Sequence, residues 1–225
     1  MPSTTRPRRH RQTGARAALI ALPLACAGAL GFSAPAQATE TRAGTGAFAS
    51  QRSQEAALTC RGQGVDPAAK IRYRAERLIN APLSKIFRLQ TDVESWPSWQ
   101  EPVLSADRLD HGPLRSGSRF RWTTPAPATP TTPETTLVIT STVHQVQPGR
   151  CLRWSGPAIG DGLRIDNGVH VWNFRQVRGG VLVSTEETWT GAQVEADVPT
   201  ATHFLGSGLE LWLDDLKATA EGHPC

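Results

Sequence analysis

Lysine is scarce in this 225-residue sequence: Lys70, Lys85 and Lys217 are the whole complement, so arginine supplies nearly all of the 24 basic side chains. The formal net charge is +4, a balance that would suit an acidic partner if it were spread over a folded surface. It is not. Arg6, Arg8, Arg9, Arg11 and Arg16 all precede the first acidic residue, Glu40, and without those five the chain has nineteen basic against twenty acidic side chains. No basic stripe remains to follow a phosphate backbone, so nucleic acid is not expected as a partner. The longest apolar run, Ala17 to Phe32, is broken by Pro23 and Gly28 and is shorter than the roughly 20 residues of a spanning helix. Phosphate-loop and dinucleotide fingerprints are both missing. His10, His111, His144, His170, His203 and His223 show no metal-ligand spacing. Ser207, within Gly206-Ser207-Gly208, lies in a helical pattern without the strand-turn context of a nucleophile elbow. No cofactor and no metal is expected.

What is present begins with a leader. Residues 1–38 combine an arginine-rich start, the interrupted apolar run and the small tripeptide Ala36-Gln37-Ala38, the three parts of a secretory signal peptide. Cleavage near Ala38 predicts a secreted or extracytoplasmic protein with no transmembrane anchor in its mature form. An uncleaved N-terminal anchor and a lipoprotein acylated at Cys26 are the alternatives; Pro23, three residues before that cysteine, disfavours the second. Arg8-Arg9 is followed by His10, Arg11 and Gln12 rather than apolar residues, so general secretion fits better than twin-arginine export. Cys60, Cys151 and Cys225 remain after cleavage, in a compartment that permits disulfides. Cys60 and Cys225 flank the patterned region, and chain termini often lie close together, which favours a Cys60–Cys225 bridge. A bridge through Cys151, or free thiols, is the alternative.

Residues 39–69 are rich in Gly, Ala, Ser, Thr and Gln without apolar period and read as a flexible linker. From Ile71 the pattern is regular. Ile71-Arg72-Tyr73-Arg74-Ala75-Glu76 alternates as a strand does. Pro82 then suits a helix start, with Leu83, Ile86, Phe87 and Gln90 on one face, and a second short helical turn carries Val93 and Trp96 before Pro97 and Trp99. Period two returns over 103–109, 118–124, 136–147, 150–156, 163–175 and 180–190, with short turns that argue for an antiparallel meander. The proline-rich stretch from Thr124 to Glu134 reads as a surface loop. From about Pro199 to Glu221, Phe204, Leu205, Leu209, Trp212, Leu213 and Leu216 recur at three and four, a long amphipathic helix. The expected architecture is α+β: a curved antiparallel seven-stranded sheet, two short helices after its first strand, and a long C-terminal helix packed across it.

Several segments carry a resemblance. Ile79-Asn80-Ala81-Pro82-Leu83-Ser84-Lys85-Ile86-Phe87 and Thr91-Asp92-Val93-Glu94-Ser95-Trp96-Pro97-Ser98-Trp99 resemble the entry segment of the START-like helix-grip superfamily (SRPBCC), in its polyketide cyclase/dehydrase and lipid-transport branch. Gly117 to Trp122, Pro148 to Trp154, Thr185 to Gly191 and Leu211 to Lys217 are similar to later parts of the same fold. The resemblance spans about residues 69–222, so the domain is set at 70–222. It implies a helix-grip fold with a cavity between the concave sheet face and the C-terminal helix. It does not fix an activity, because the superfamily includes cyclases, carriers and receptors.

Period-two alternation then names the side chains that share the inward face: Phe120, Trp122, Ile139, Ser141, Val143, Leu152, Trp154, His170, Trp172, Phe174, Val183, Thr185, Glu187 and Trp189. Arg119, Arg121, Arg153, Ser184 and Glu186 fall on the opposite, solvent side. The candidate ligand cavity is Phe120, Trp122, Ser141, Trp154, His170, Trp172, Glu187 and Trp189, indole walls with a few polar groups. Trp96 and Trp99 are expected to pin the short helices to the sheet. His170 and Glu187 are the candidate catalytic pair, or a structural pair in which the histidine partners a buried carboxylate. Three readings follow: a secreted binder or carrier of a hydrophobic, lipid or polyketide-like molecule; a cyclase or dehydratase using His170 and Glu187; or a cell-envelope module whose cavity its own tryptophans fill. Export disfavours the second, since polyketide cyclases act on intermediates held by an intracellular carrier.

Overall fold

The structure, a computed structural model, describes residues 57–222. The leader, its cleavage site, the first part of the expected linker and Cys225 lie outside the described residues. Strand β1 (Ile71–Ile79) leads into helix α1 (Leu83–Thr91) and a 3₁₀ helix (Val93–Ser98). Then come β2 (Ser105–Arg108), β3 (Arg119–Ala126), β4 (Thr135–Gln147), β5 (Cys151–Gly160), β6 (Leu163–Val177) and β7 (Gly180–Thr190), a short 3₁₀ turn (Val194–Asp197) and helix α2 (Val198–Glu221). The sheet runs β1-β7-β6-β5-β4-β3-β2 with every neighbour antiparallel. Short turns build the six-strand meander, and β1 closes back onto its last member. This is the α+β helix-grip arrangement that the periodicity and the resemblance predict. Among the described residues no helix is long and apolar enough to cross a membrane.

Helix α2 starts where Asp197 accepts the Thr200 N–H at 3.1 Å and stops at Gly222, whose φ of 81° lets the backbone turn back on the last carbonyls. Its buried stripe of Ala201, Leu205, Leu209, Trp212, Leu213 and Leu216 faces the sheet. The helix lies along β1, where the Tyr73 hydroxyl donates to Glu210 Oε1 at 3.2 Å and Arg77 pairs with Glu210 and Asp214. Contact is tightest at Gly206: a Cβ there would stand 2.7 Å from the Tyr73 ring. Two residues on, a Cβ at Gly208 would meet nothing within 4 Å.

One end of the concave face is an aromatic core. Fully buried Trp96 sits at its centre, with ring centroids 5.4 Å from Phe120, 6.0 Å from Trp122, 6.0 Å from Trp154 and 5.0 Å from Trp212. Helix α1 is tied in where Gln90, also fully buried, accepts the Trp212 indole N–H at 3.1 Å. Trp96 and buried Trp99 thus dock the short helices as expected.

The convex face differs from expectation. Residues 57–69, read from composition as the end of a flexible linker, are laid on the sheet, with Leu58 and Val65 packed on Val169 and Val171 of β6. Glu186 and Ser184, assigned to solvent, are 2% and 6% exposed. Glu186 is compensated by Arg72 on β1 and by the Leu58 N–H at 2.8 Å, and Arg153 Nε reaches the Gly64 carbonyl at 2.8 Å. The bridge is Cys60–Cys151, not Cys60–Cys225. The correction has a physical reason: Cys151 is on the outward face of β5, where two apolar valines of the next strand need a cover, and the strap carrying Cys60 supplies it.

Two stability tests follow. Replacing both Cys60 and Cys151 by alanine, which opens a bridge of sequence separation 91, is expected to cost about 2–4 kcal/mol and lower Tm by roughly 5–15 °C, with residues 57–66 losing amide-exchange protection first. Gly206→Ala should destabilise by about 1–3 kcal/mol in a urea titration despite its better helix propensity, whereas Gly208→Ala should be neutral or stabilising by up to about 1 kcal/mol.

Candidate functional site

Beyond the aromatic core the concave face is not filled. Strands β3 to β7 and the first half of α2 enclose a cavity of about 360 Å³, inside the size range of small-molecule sites. The space exists because small residues meet there: Ser141 on β4, Gly156 and Ala158 on β5, Gly168 on β6, and Ala201 and Gly208 on α2. Gly156 pairs with Gly168 across the sheet, beside a bulge where Asp166 and Asn167 of β6 oppose Pro157 alone, and a Cβ at Gly156 would lie 2.0 Å from the Thr140 carbonyl oxygen. The exposed lining residues Pro127, Thr131, Gln193, Ser207 and Leu211 mark the mouth, between the 127–134 loop and α2.

Six of the eight expected cavity residues line this space: Trp122, Ser141, Trp154, His170, Glu187 and Trp189. Phe120 and Trp172 share their inward face but do not reach it; both are fully buried, Phe120 against Trp96 and Trp172 against Trp154 and Trp212. The reason is position along the strand: alternation assigns a face but not a depth, and these two lie at the end where the short helices close. Lining residues that sequence reasoning missed come from Thr124, Pro125 and Ala126, which extend β3 by pairing with β4 rather than opening the expected surface loop, from Thr129, Thr131 and Thr132 of the loop that follows, and from Asp197, Phe204, Ser207 and Gly208 around the start of α2. Their sequence signal was the cluster of small residues at 206–208 within an otherwise bulky helix.

His170 and Glu187 face each other across β6 and β7, at paired register positions. His170 Nδ1 lies 3.0 Å from Glu187 Oε2, and Nε2 lies 2.6 Å from the Thr185 hydroxyl, which also reaches the Val171 carbonyl. The second carboxylate oxygen, Oε1, accepts the Trp189 indole N–H at 2.8 Å. The imidazole packs against both Trp154 and Trp172, with centroids 4.9 Å from each. Burial pushes the Glu187 carboxyl up, but His170 and the two hydrogen bonds outweigh it, and the group sits below its ordinary value. Glu187 is therefore an ionised carboxylate in an indole-walled cavity. Trp122 and Ser141, both expected on the inward face, meet there: the indole N–H donates to Ser141 Oγ at 3.4 Å. Two ionised groups thus reach the space, since Asp197 is held low by the Thr200 backbone N–H and hydroxyl.

A family model described as polyketide cyclase / dehydrase and lipid transport matches residues 70–221. Similar solved structures share the fold at low identity. A hypothetical protein from Helicobacter pylori is 15% identical with a TM-score of 0.55, over 73% of this chain and 96% of its own. A START superfamily protein from Mycobacterium smegmatis is 14% identical with a TM-score of 0.53, over 67% and 97%. The di-domain ARO/CYC StfQ of the steffimycin biosynthetic pathway is 15% identical with a TM-score of 0.53, over 68% of this chain and 51% of StfQ. No curated protein matches the chain.

The depressed Glu187 carboxyl makes a signed pH prediction. Its ionised form contributes stability that is fully present above its unfolded value of 4.5 and is lost as pH falls through the lower folded value. Urea midpoints of the wild type should therefore drop more steeply than those of Glu187→Gln as pH falls below the unfolded value of 4.5. Equal slopes would show that the pair adds nothing to acid stability.

Proposed function

The chain belongs to the polyketide cyclase/dehydrase and lipid transport family, and from that membership and the cavity we propose that it is an exported binder or carrier of a hydrophobic small molecule. The observation that carries this is the 360 Å³ void whose walls are mostly apolar side chains, with the inward His170 and Glu187 held by protein partners. Filling by tryptophan alone, the envelope-module reading, accounts for the end around Trp96 and leaves the other end vacant. Export is supported by the leader in residues 1–38 and by the Cys60–Cys151 bridge, which suits an oxidising compartment.

A cyclase or dehydratase would need the pair to exchange protons with a substrate. Both His170 nitrogens are engaged inside the protein, one by Glu187 and one by Thr185. That arrangement holds the glutamate in place and leaves no imidazole nitrogen pointing at the void, which favours a fixed polar post over a proton shuttle.

Gly208 gives the direct test, because a side chain there enters open space and improves the helix. Gly208→Leu should retain or raise Tm while abolishing the tryptophan-emission response that the wild type gives to a hydrophobic probe. Unaltered probe binding in a folded Gly208→Leu protein would place the ligand elsewhere.

A further inference from the structure

The ionisable chemistry of the cavity is one-sided. Among the described residues no lysine or arginine lines it; the titratable lining groups among them are Glu187, Asp197 and His170, and the histidine is bound to Glu187 at 3.0 Å. Backbone N–H groups at a helix start are the usual substitute for a cation. Here that role is taken: Asp197 itself accepts the Thr200 N–H at 3.1 Å, and Pro199 has no N–H to offer. An acid head group entering this space would lose water beside a carboxylate and find no positive partner.

A donor head group meets the opposite situation. Each Glu187 oxygen holds one protein partner, the Trp189 indole N–H on Oε1 and His170 on Oε2, while an ionised carboxylate can accept about four hydrogen bonds. Gly168 keeps this acceptor uncovered, since a Cβ there would stand 3.2 Å from Oε1. Indole rings around it offer faces to an ammonium as well as apolar area.

Building on the binder reading, we propose that the cavity selects apolar molecules whose polar end is a hydrogen-bond donor, hydroxyl or ammonium, and rejects those ending in an acid, with Glu187 as the acceptor that discriminates. The ligand class is thereby narrowed from hydrophobic molecules in general to donor-headed ones, and fatty acids fall outside it.

The experiment uses one compact skeleton, adamantane, carrying an aminomethyl, a hydroxymethyl or a carboxyl group, titrated into the mature protein and followed by calorimetry at neutral pH. Donor forms are expected to bind at least tenfold more tightly than the carboxyl form, and the stronger of the two distinguishes ammonium from hydroxyl. Glu187→Gln should shrink the gap to less than about threefold. Ser207→Lys, at an exposed lining position, should raise affinity for the carboxyl compound at least tenfold and remains informative if Glu187→Gln does not fold. Equal or tighter binding of the carboxyl compound to the wild type overturns the selectivity. An unchanged gap in folded Glu187→Gln, or no gain in Ser207→Lys, overturns the electrostatic cause. Binding of none of the three removes the binder reading and this inference with it, a result distinct from acid binding.

Discussion

The close approach of α2 to β1 is the constraint on which the concave face depends. A helix carrying Leu and Trp side chains would normally stand off a sheet by their full length. At Gly206 there is no side chain, and the Tyr73 ring occupies the place a Cβ would take. Tyr73 and Arg77 then brace Glu210 and Asp214 one and two turns on. With α2 held to one edge strand and the sheet curling away from it, the remaining concave face is a wedge. Its closed end is packed by Trp96 and its ring neighbours. Its other end stays open because Gly156, Gly168, Ala201 and Gly208 bring too little volume to fill it.

Strand β7 shows the two faces of the sheet side by side. Glu186 and Glu187 are consecutive, so their side chains point in opposite directions, and both are largely withdrawn from water. Each is compensated in the same way, by one basic side chain and one N–H: Arg72 and the Leu58 amide outside, His170 and the Trp189 indole inside. Removing one member of such a set leaves a buried charge uncompensated, a loss of about 3–5 kcal/mol. The strap that carries Leu58 is thus part of the domain's electrostatics as well as its packing, and the Cys60–Cys151 bridge fixes it over the strand that needs it.

These particulars explain which features could be read in advance. Strand positions and the inward face followed from strict alternation, because a residue's face depends only on its neighbours along the chain. The long helix and its stripe followed for the same local reason. What failed was nonlocal. Phe120 and Trp172 have the right face but the wrong depth, and depth is set by where α1 and the 3₁₀ helix close the wedge. The strap at 57–69 has a linker's composition and folds only because Val169 and Val171 await it, two outward apolar residues that were the available warning. The disulfide depended on that same docking, so chain-end proximity was the wrong guide.

Stability alone does not account for the His170–Glu187 pair. Buried polar and ionic pairs give little net stability over apolar residues of similar volume, because desolvation consumes most of the attraction. The pair occupies a wall next to a void, where a leucine would have cost nothing in polar bookkeeping and would have made the cavity smaller. Instead the imidazole is packed against Trp154 and Trp172, its second nitrogen is occupied by Thr185, and a glycine at position 168 keeps the glutamate uncovered. Every neighbour restrains the carboxylate's position, and none of them blocks its approach from the void. Restraint combined with access is what a recognition group requires, since an acceptor fixed before binding loses little entropy when a donor arrives.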